Sequence, residues 1–301
     1  MTRDDQRLQG GALTLSAFIA WGLLPLYFKA VSTVPALQLL AHRALWAAVL
    51  LLVIVSVLGR WRAIRDTLAT RRTRWMLVAS TLLIATNWLT FIYATQVGRV
   101  IEISLGYYIN PLVNILLGVL VLRERLNAFQ GAAVALAVAG VTNLAVQTAG
   151  LPWPSLVVAG SFGLYGLIRK TTQLASLDGL FLETGLMAPI AAAYLAYTEV
   201  QGTGALFNGD AMLDVLLLMA GVVTAVPLLL FASGARRITY TAVGFFQYLA
   251  PTGHFLLAVF VFGEPFQPEV QGVTFACIWT ALAIFSADTL RRYRQVPAAA
   301  R

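Results

Sequence analysis

The sequence predicts an all-α polytopic membrane protein in which ten transmembrane helices form two inverted five-helix repeats. Three observations carry this expectation. Apolar residues make up 59% of the chain and charged residues only 11%, about half the charged fraction of a soluble globular domain. The chain also repeats itself at an offset of 140 residues. Glu102 to Glu124 lies without a gap on Ala242 to Glu264 with seven identities in 23 positions, among them Tyr108 with Tyr248, Pro111 with Pro251 and Glu124 with Glu264. Finally, the positive charge falls almost wholly on one side of a ten-span arrangement.

Spans are expected near 11–31, 36–58, 75–95, 101–121, 128–147, 154–169, 178–198, 212–234, 240–262 and 270–289, each close to the roughly 20 residues that cross a bilayer. The charged start, Met1 to Arg7, leads into an apolar run that continues past Val31 without a cleavage site, so the first helix is expected to be retained. Of 21 Lys and Arg, 18 fall on the terminal side or in every second loop; only Lys29, Arg43 and Arg99 lie elsewhere. Positive residues stay cytoplasmic, which places both termini inside a bacterial inner membrane. The net charge of +8 is then a topology signal, and no nucleic-acid partner is expected because no basic soluble domain exists to carry one.

The domains follow: a cytoplasmic amino terminus (1–10), a first repeat (11–147), a second (148–289) and a cytoplasmic tail (290–301). Five spans per repeat is an odd number, so the second repeat enters the membrane from the opposite side, the arrangement behind many alternating-access transporters. The basic loop 59–74 is expected to form a surface helix, and loop 199–211 is too short for a catalytic domain. Trp61 and Trp75 mark the inner interface and Trp153 the outer one. Gly131, Ala135 and Ala139 form a small-residue stripe suited to helix packing or to a homodimer contact. Cys277 stands alone, so no internal disulfide forms.

Enzyme signatures are missing: there is no phosphate-binding glycine loop, HExxH, paired cysteine or Gly-x-Ser-x-Gly elbow. With only His42 and His254 as histidines, no metal site and no bound cofactor are expected. What stands out is helix breakers and polar groups at membrane depth. Gly22, Pro25, Pro111, Gly163, Gly166, Pro227 and Pro251 are candidate hinges, since freed backbone groups in lipid need partners or a cavity. Tyr108, Pro111 and Asn114 share one helix face, as do Tyr248, Pro251 and His254. With Trp21, Asn87, Trp88, Tyr107, Asn110, Tyr165 and Gln247 they are expected to line a shared cavity for an organic solute; the alternative is a set of hydrogen bonds locking the bundle. Arg43, His42 and Glu183 are ionisable at depth and functional candidates by default. Arg43 is expected to pair with Glu102, and Glu183 with Arg169, Lys170 or Arg237, as gates or as permanent ties. Glu124 and Glu264 are expected to cap helices or orient loops.

Five segments, AFIAWGLLPLYFKAVSTVPALQLLAHR (Ala17–Arg43), SLGYYINPLVNILLGVLVLRERL (Ser104–Leu126), SFGLYGLIRK (Ser161–Lys170), TAVPLLLFASGARRI (Thr224–Ile238) and GFFQYLAPTGHFLLAVFVFGEPF (Gly244–Phe266), resemble the RarD branch of the EamA-type drug/metabolite transporter superfamily. The resemblance implies ten helices in two EamA repeats, cytoplasmic termini and inner-membrane transport of a small metabolite or drug, with export the expected direction. An importer, or an assembly or signalling protein that moves nothing, is the alternative.

Overall fold

The computed structural model describes residues 3–122, 127–147, 152–172, 175–235, 237–238 and 246–295. Among them there is no strand; twelve α-helices account for most of the described residues. Helix α1 (Arg3–Gly22) ends one residue short of α2 (Leu24–Ala30), where Pro25 occupies the first turn. Proline is tolerated there because its missing N–H would find no intrahelical acceptor. Next come α3 (Ala36–Val57), the short surface helix α4 (Trp61–Thr67) and α5 (Arg71–Gln96). The Thr70 hydroxyl caps α5 by accepting from Thr73 N at 3.2 Å. Helix α6 (Val100–Leu122) bends by 43° between Val100–Asn110 and Leu112–Val121, at the predicted breaker Pro111. Proline removes a backbone donor and crowds the preceding turn.

Asn127 opens α7 (Ala128–Gln147) with a reciprocal cap: its Oδ1 accepts from Gln130 N, and its own N–H donates to Gln130 Oε1. Then follow α8 (Trp153–Thr172), α9 (Ser176–Val200) and α10 (Ala211–Ala235), which keep Pro189 and Pro227 inside continuous helices α9 and α10. Asp210 caps α10 by accepting from Met212 N and Leu213 N, both at 3.0 Å. Helix α11 (Leu249–Leu256) runs on as a π-type turn (Leu257–Val261), and a second such turn (Pro268–Gly272) leads into α12 (Val273–Gln295).

Seven helical segments are individually long and apolar enough to cross a membrane, or eight with the bent α6. Ten were expected. The shortfall has a chemical cause. Helix α8 spends its length on Ser, Gly, Tyr, Arg and Lys, and the ninth segment is interrupted by a turn at Gln247 and Tyr248, which leaves Leu249–Val261 as a shorter apolar helix.

The packing is inverted relative to a soluble protein. Leu52, Val53, Leu82, Leu120, Ile190 and Phe260 are exposed, while His42, Arg43, Ser80, Asn87, Asn110, Glu183, Thr224 and His254 are buried. Apolar outside and polar inside is what lipid solvation rewards. Helix α3 packs along α9, α7 along α12, α6 on α8 and α11, α1 on α10 and α11, and α5 on α8. Several close approaches depend on glycine, two of them as follows. A Cβ at Gly106 would sit 2.7 Å from the Ser155 carbonyl oxygen, and one at Gly221 would sit 2.5 Å from that of Trp46.

Three expectations need comment. Ala135 and Ala139 are exposed and nothing lies against Gly131, so that stripe does not pack the bundle. The buried face of α7 is Ala133, Ala137, Gly140 and Leu144, rotated from the stripe, with Gly140 against Cys277 and Thr274 of α12. Glu264 does cap a helix: its carboxylate accepts from Val100 N (2.7 Å) and Ile101 N (2.9 Å) at the start of α6. Its repeat partner Glu124 lies outside the described residues. Trp61, Trp75 and Trp153 are all exposed at helix ends.

Candidate functional site

A cavity of about 330 Å³ lies at the centre of the bundle, walled by α1, α3, α5, α6, α8, α9, α10 and the segment from Gln247 into α11. Helical spacing explains its wall. On α5, Ile84, Asn87, Trp88 and Phe91 follow the i, i+3, i+4, i+7 rule and form one face. On α6, Tyr107 and Asn110 are one turn apart. On α10, Thr224, Leu228 and Phe231 repeat the same spacing.

Nine of the eleven residues expected to share a cavity line this one: Trp21, Asn87, Trp88, Tyr107, Asn110, Tyr165, Gln247, Tyr248 and His254. Tyr108 and Asn114 do not, which corrects the expectation for both. Tyr108 is rotated about 100° from Tyr107 on α6, toward the other side of the helix. Its hydroxyl shares a 2.6 Å hydrogen bond with Thr252, and its ring meets Phe275 and Trp279. Asn114 lies beyond the bend in α6, exposed, donating to Asn110 Oδ1 at 3.2 Å.

The polar wall is organised. The Asn87 amide donates to the Val158 carbonyl (3.0 Å) and Ser161 Oγ (3.2 Å), and its oxygen accepts from the Tyr107 hydroxyl (3.1 Å). Asn110 donates to the Ala159 carbonyl. The His254 ring meets those of Phe91 and Tyr107, at 5.1 and 5.7 Å. Its Nε2 lies 3.0 Å from the Trp21 carbonyl oxygen. A carbonyl only accepts, so Nε2 carries the proton, and the buried Nδ1 has no hydrogen-bond partner among the described residues. The second histidine, His42, lies off the cavity; its Nδ1 accepts from Trp46 Nε1 at 3.3 Å.

The charged groups behave differently from one another. Arg43 is buried on the cavity wall. Its Nε donates to Thr224 Oγ1 at 3.1 Å, and its guanidinium stacks over Trp88 (4.6 Å) and Phe28 (5.0 Å). The expected partner Glu102 instead pairs with Arg99 at 2.5 Å, three residues earlier at the same helix start. That pairing is local and costs no long reach, whereas Arg43 points into the bundle. Glu183 is wholly buried, accepting from Ser80 Oγ (2.8 Å) and the Tyr165 hydroxyl (3.1 Å), with Arg169 at 3.7 Å. Among its three expected cations the partner is Arg169. Arg237 is exposed and donates to the Ser233 carbonyl, and the Lys170 side chain lies outside the described set. At one end of the bundle, Arg60 forms a two-pronged ion pair with Asp178, both bonds 2.6 Å; the hydrogen bond and charge of that carboxylate raise Arg60 above the usual arginine range.

Among the candidate hinges, Gly22 and Gly253 meet face to face, so that a Cβ on Gly253 would lie 3.0 Å from Gly22 Cα. This close approach joins the end of α1 to α11. Pro25 begins α2 after the break, and the Pro251 carbonyl accepts from Ser104 Oγ at 2.8 Å. Gly163 sits within unbroken α8 and admits Val113 of α6; Gly166 faces open space. Neither interrupts its helix, and Pro227 likewise leaves α10 continuous. Sequence reasoning missed Phe18, Phe91, Phe162, Thr224 and Phe231 on the wall. A phenylalanine in an apolar span carries no distinguishing signal by itself. Its spacing of three or four from Asn87, Tyr165 or Trp21 would have found three of them.

Residues 8–145 match the model of the EamA-like transporter family. An uncharacterized transporter of Vibrio cholerae is 45% identical over 292 residues, covering 97% of this chain and 96% of that protein. The protein RarD of Escherichia coli K12 is 41% identical over 290 residues, covering 96% and 98%. A solved crystal structure of a protein at 17% identity superimposes with a TM-score of 0.59 over 96% of this chain and 98% of that one, a likeness of fold alone.

Proposed function

Because the chain belongs to the RarD branch of the EamA-like transporter family, we propose that this multi-pass membrane protein carries a small organic solute across the bacterial inner membrane by alternating access, with export the net direction. The observation that carries the reading is the central cavity. It is walled by helices drawn from both ends of the sequence and is lined by rings, amides and phenols, the mixture that binds small organic molecules.

Helix pairing supports the inverted-repeat part of the proposal. Contacts between α3 and α9, α6 and α11, and α7 and α12 join helices that correspond at the 140-residue offset. The packing of α1 on α10 and α11 has its counterpart in α8 on α5 and α6. In this reading α1 with α2, α3, α5, α6 and α7 form the first repeat, α8 to α12 the second, and both termini are cytoplasmic by the charge distribution.

The test is solute counterflow in proteoliposomes made with the purified protein, run with labelled metabolites and with chloramphenicol. Protein-dependent, saturable exchange supports transport, and comparison of inside-out with right-side-out vesicles gives the direction. Binding of a solute without any flux would point to a receptor or scaffold instead.

A further inference from the structure

We infer that the cavity takes a monovalent organic anion, a carboxylate on an aromatic body, with Arg43 as its anchor; the inference rests on the transport reading for its biological meaning. The charge on the wall is one-sided. Two guanidinium groups, Arg43 and Arg169, line the cavity, and no Asp or Glu is among the lining residues. Arg169 is matched from behind by Glu183. Arg43 makes no ion pair among the described residues, although only 3% of it is exposed, and its Nη1 has no hydrogen-bond partner. An unmatched buried cation is costly at membrane depth. Stacking on Trp88 and Phe28 and the bond to Thr224 offset part of that cost. They also fix the plane of the guanidinium, leaving donors of a planar fork unused. The group that complements such a fork is a carboxylate.

The remaining wall narrows the class. One uncompensated cation suits a monoanion better than a phosphate ester dianion. An amine would meet the unmatched guanidinium of Arg43 and no carboxylate on the wall, so like charge excludes it. The rings of Trp21, Tyr107, Phe162 and Phe231 supply stacking surfaces for an aromatic body.

Three probes of one shape separate charge from the rest: indoleacetate, indoleacetamide and tryptamine, titrated calorimetrically into the full chain in nanodiscs. The expected order is the acid at least about tenfold tighter than the amide, with the amine weakest. Arg43→Gln should bring acid and amide within about twofold of each other, and Arg43→Lys should recover only part of the preference because an ammonium cannot form the fork. The wild-type order stands as a test even where Arg43→Gln fails to fold. Equal affinities, a preference for the amine, or no binding of any probe overturns the inference, as does an acid preference that survives in folded Arg43→Gln. Flux of labelled indoleacetate in proteoliposomes keeps the two readings apart. Arg43-dependent acid binding without flux leaves the anion site and removes transport; flux that favours amide or amine leaves transport and removes the anion site.

Discussion

Glu183 and Arg169 form the tie whose strength can be worked out most fully. Glu183 is 0% exposed and the Arg169 side chain 14%. Glu183→Gln keeps the shape and removes the charge. The amide can still satisfy its neighbours: its oxygen accepts from the Tyr165 hydroxyl, and its NH₂ donates to Ser80 Oγ, which retains the Leu77 carbonyl at 3.0 Å for its own proton. What is lost is the charge opposite Arg169, which still holds the Ala175 carbonyl and the face of Tyr165. Removing one member of a fully buried pair costs about 3–5 kcal/mol. The 3.7 Å separation and the partial exposure of Arg169 put Glu183→Gln lower, at about 1–3 kcal/mol. Glu183→Ala also strands the Tyr165 hydroxyl and leaves a void, so about 3–5 kcal/mol is expected. A double-mutant cycle with Arg169→Gln should give a coupling of about 1–2 kcal/mol, read from unfolding in mixed detergent micelles. A coupling within about 0.3 kcal/mol of zero, the noise of such cycles, would refute the tie. Equal costs for Gln and Ala would refute the hydrogen-bond argument.

Three further outcomes are expected. Gly221→Ala places a Cβ 2.5 Å from the Trp46 carbonyl oxygen and 2.8 Å from Ala47 N, backbone that cannot turn aside, so thermal unfolding should show a loss of about 1–3 kcal/mol or more, where Gly131→Ala, facing open space, shows none. Glu264→Ala should cost about 1–2 kcal/mol by stranding Val100 N and Ile101 N, and Glu264→Gln less because one acceptor remains; equal effects would refute the capping role. A reporter fused after Arg294 should read as cytoplasmic and one inserted near Gly204 as periplasmic, and periplasmic activity from the first would overturn the ten-span topology.

The polar interior was legible in the sequence because the groups concerned are expensive in lipid. Asn87, Asn110, Gln247 and His254 stand out in any apolar span, and all four reach the cavity wall. Orientation was less legible. Tyr107 and Tyr108 are adjacent and chemically identical, and only the packing of α6 between α8 and α11 decides that the first faces the cavity and the second faces Thr252 and Trp279. The repeat drew attention to Tyr108 through its match with Tyr248, yet Tyr248 alone lines the cavity. Of the ionic partners, only Arg169 for Glu183 was among those expected; the local pair of Arg99 and Glu102 was passed over for Arg43 with Glu102. Arg99 and Glu102 satisfy each other three residues apart, which left Arg43 with rings and a hydroxyl. Arg60 and Asp178 are 118 residues apart, a separation at which neither periodicity nor charge pattern selects a partner.

Correspondence between the repeats gives these scattered contacts a common sense. Gln38 corresponds to Asp178 at the 140-residue offset. Gln38 donates to the Thr203 carbonyl at 2.8 Å, beyond the end of α9, while Asp178 binds Arg60, beyond the opposite end of α3. Helices α3 and α9 are therefore tied at both ends, by a neutral bond at one and an ion pair at the other. The flanking contacts are built unequally. Helix α10 meets α3 backbone to backbone, through Gly221 against Trp46 and Ala47. At the corresponding place Thr81 replaces glycine, and α5 meets α9 through side chains, Ser80 on Glu183. A side-chain contact of this kind opens by exchanging hydrogen bonds, which water at a mouth of the cavity can replace. A backbone contact held by a glycine opens only by giving up close packing along both helices. Both contacts are made in the conformation described here, and parting α5 from α9 needs the smaller rearrangement.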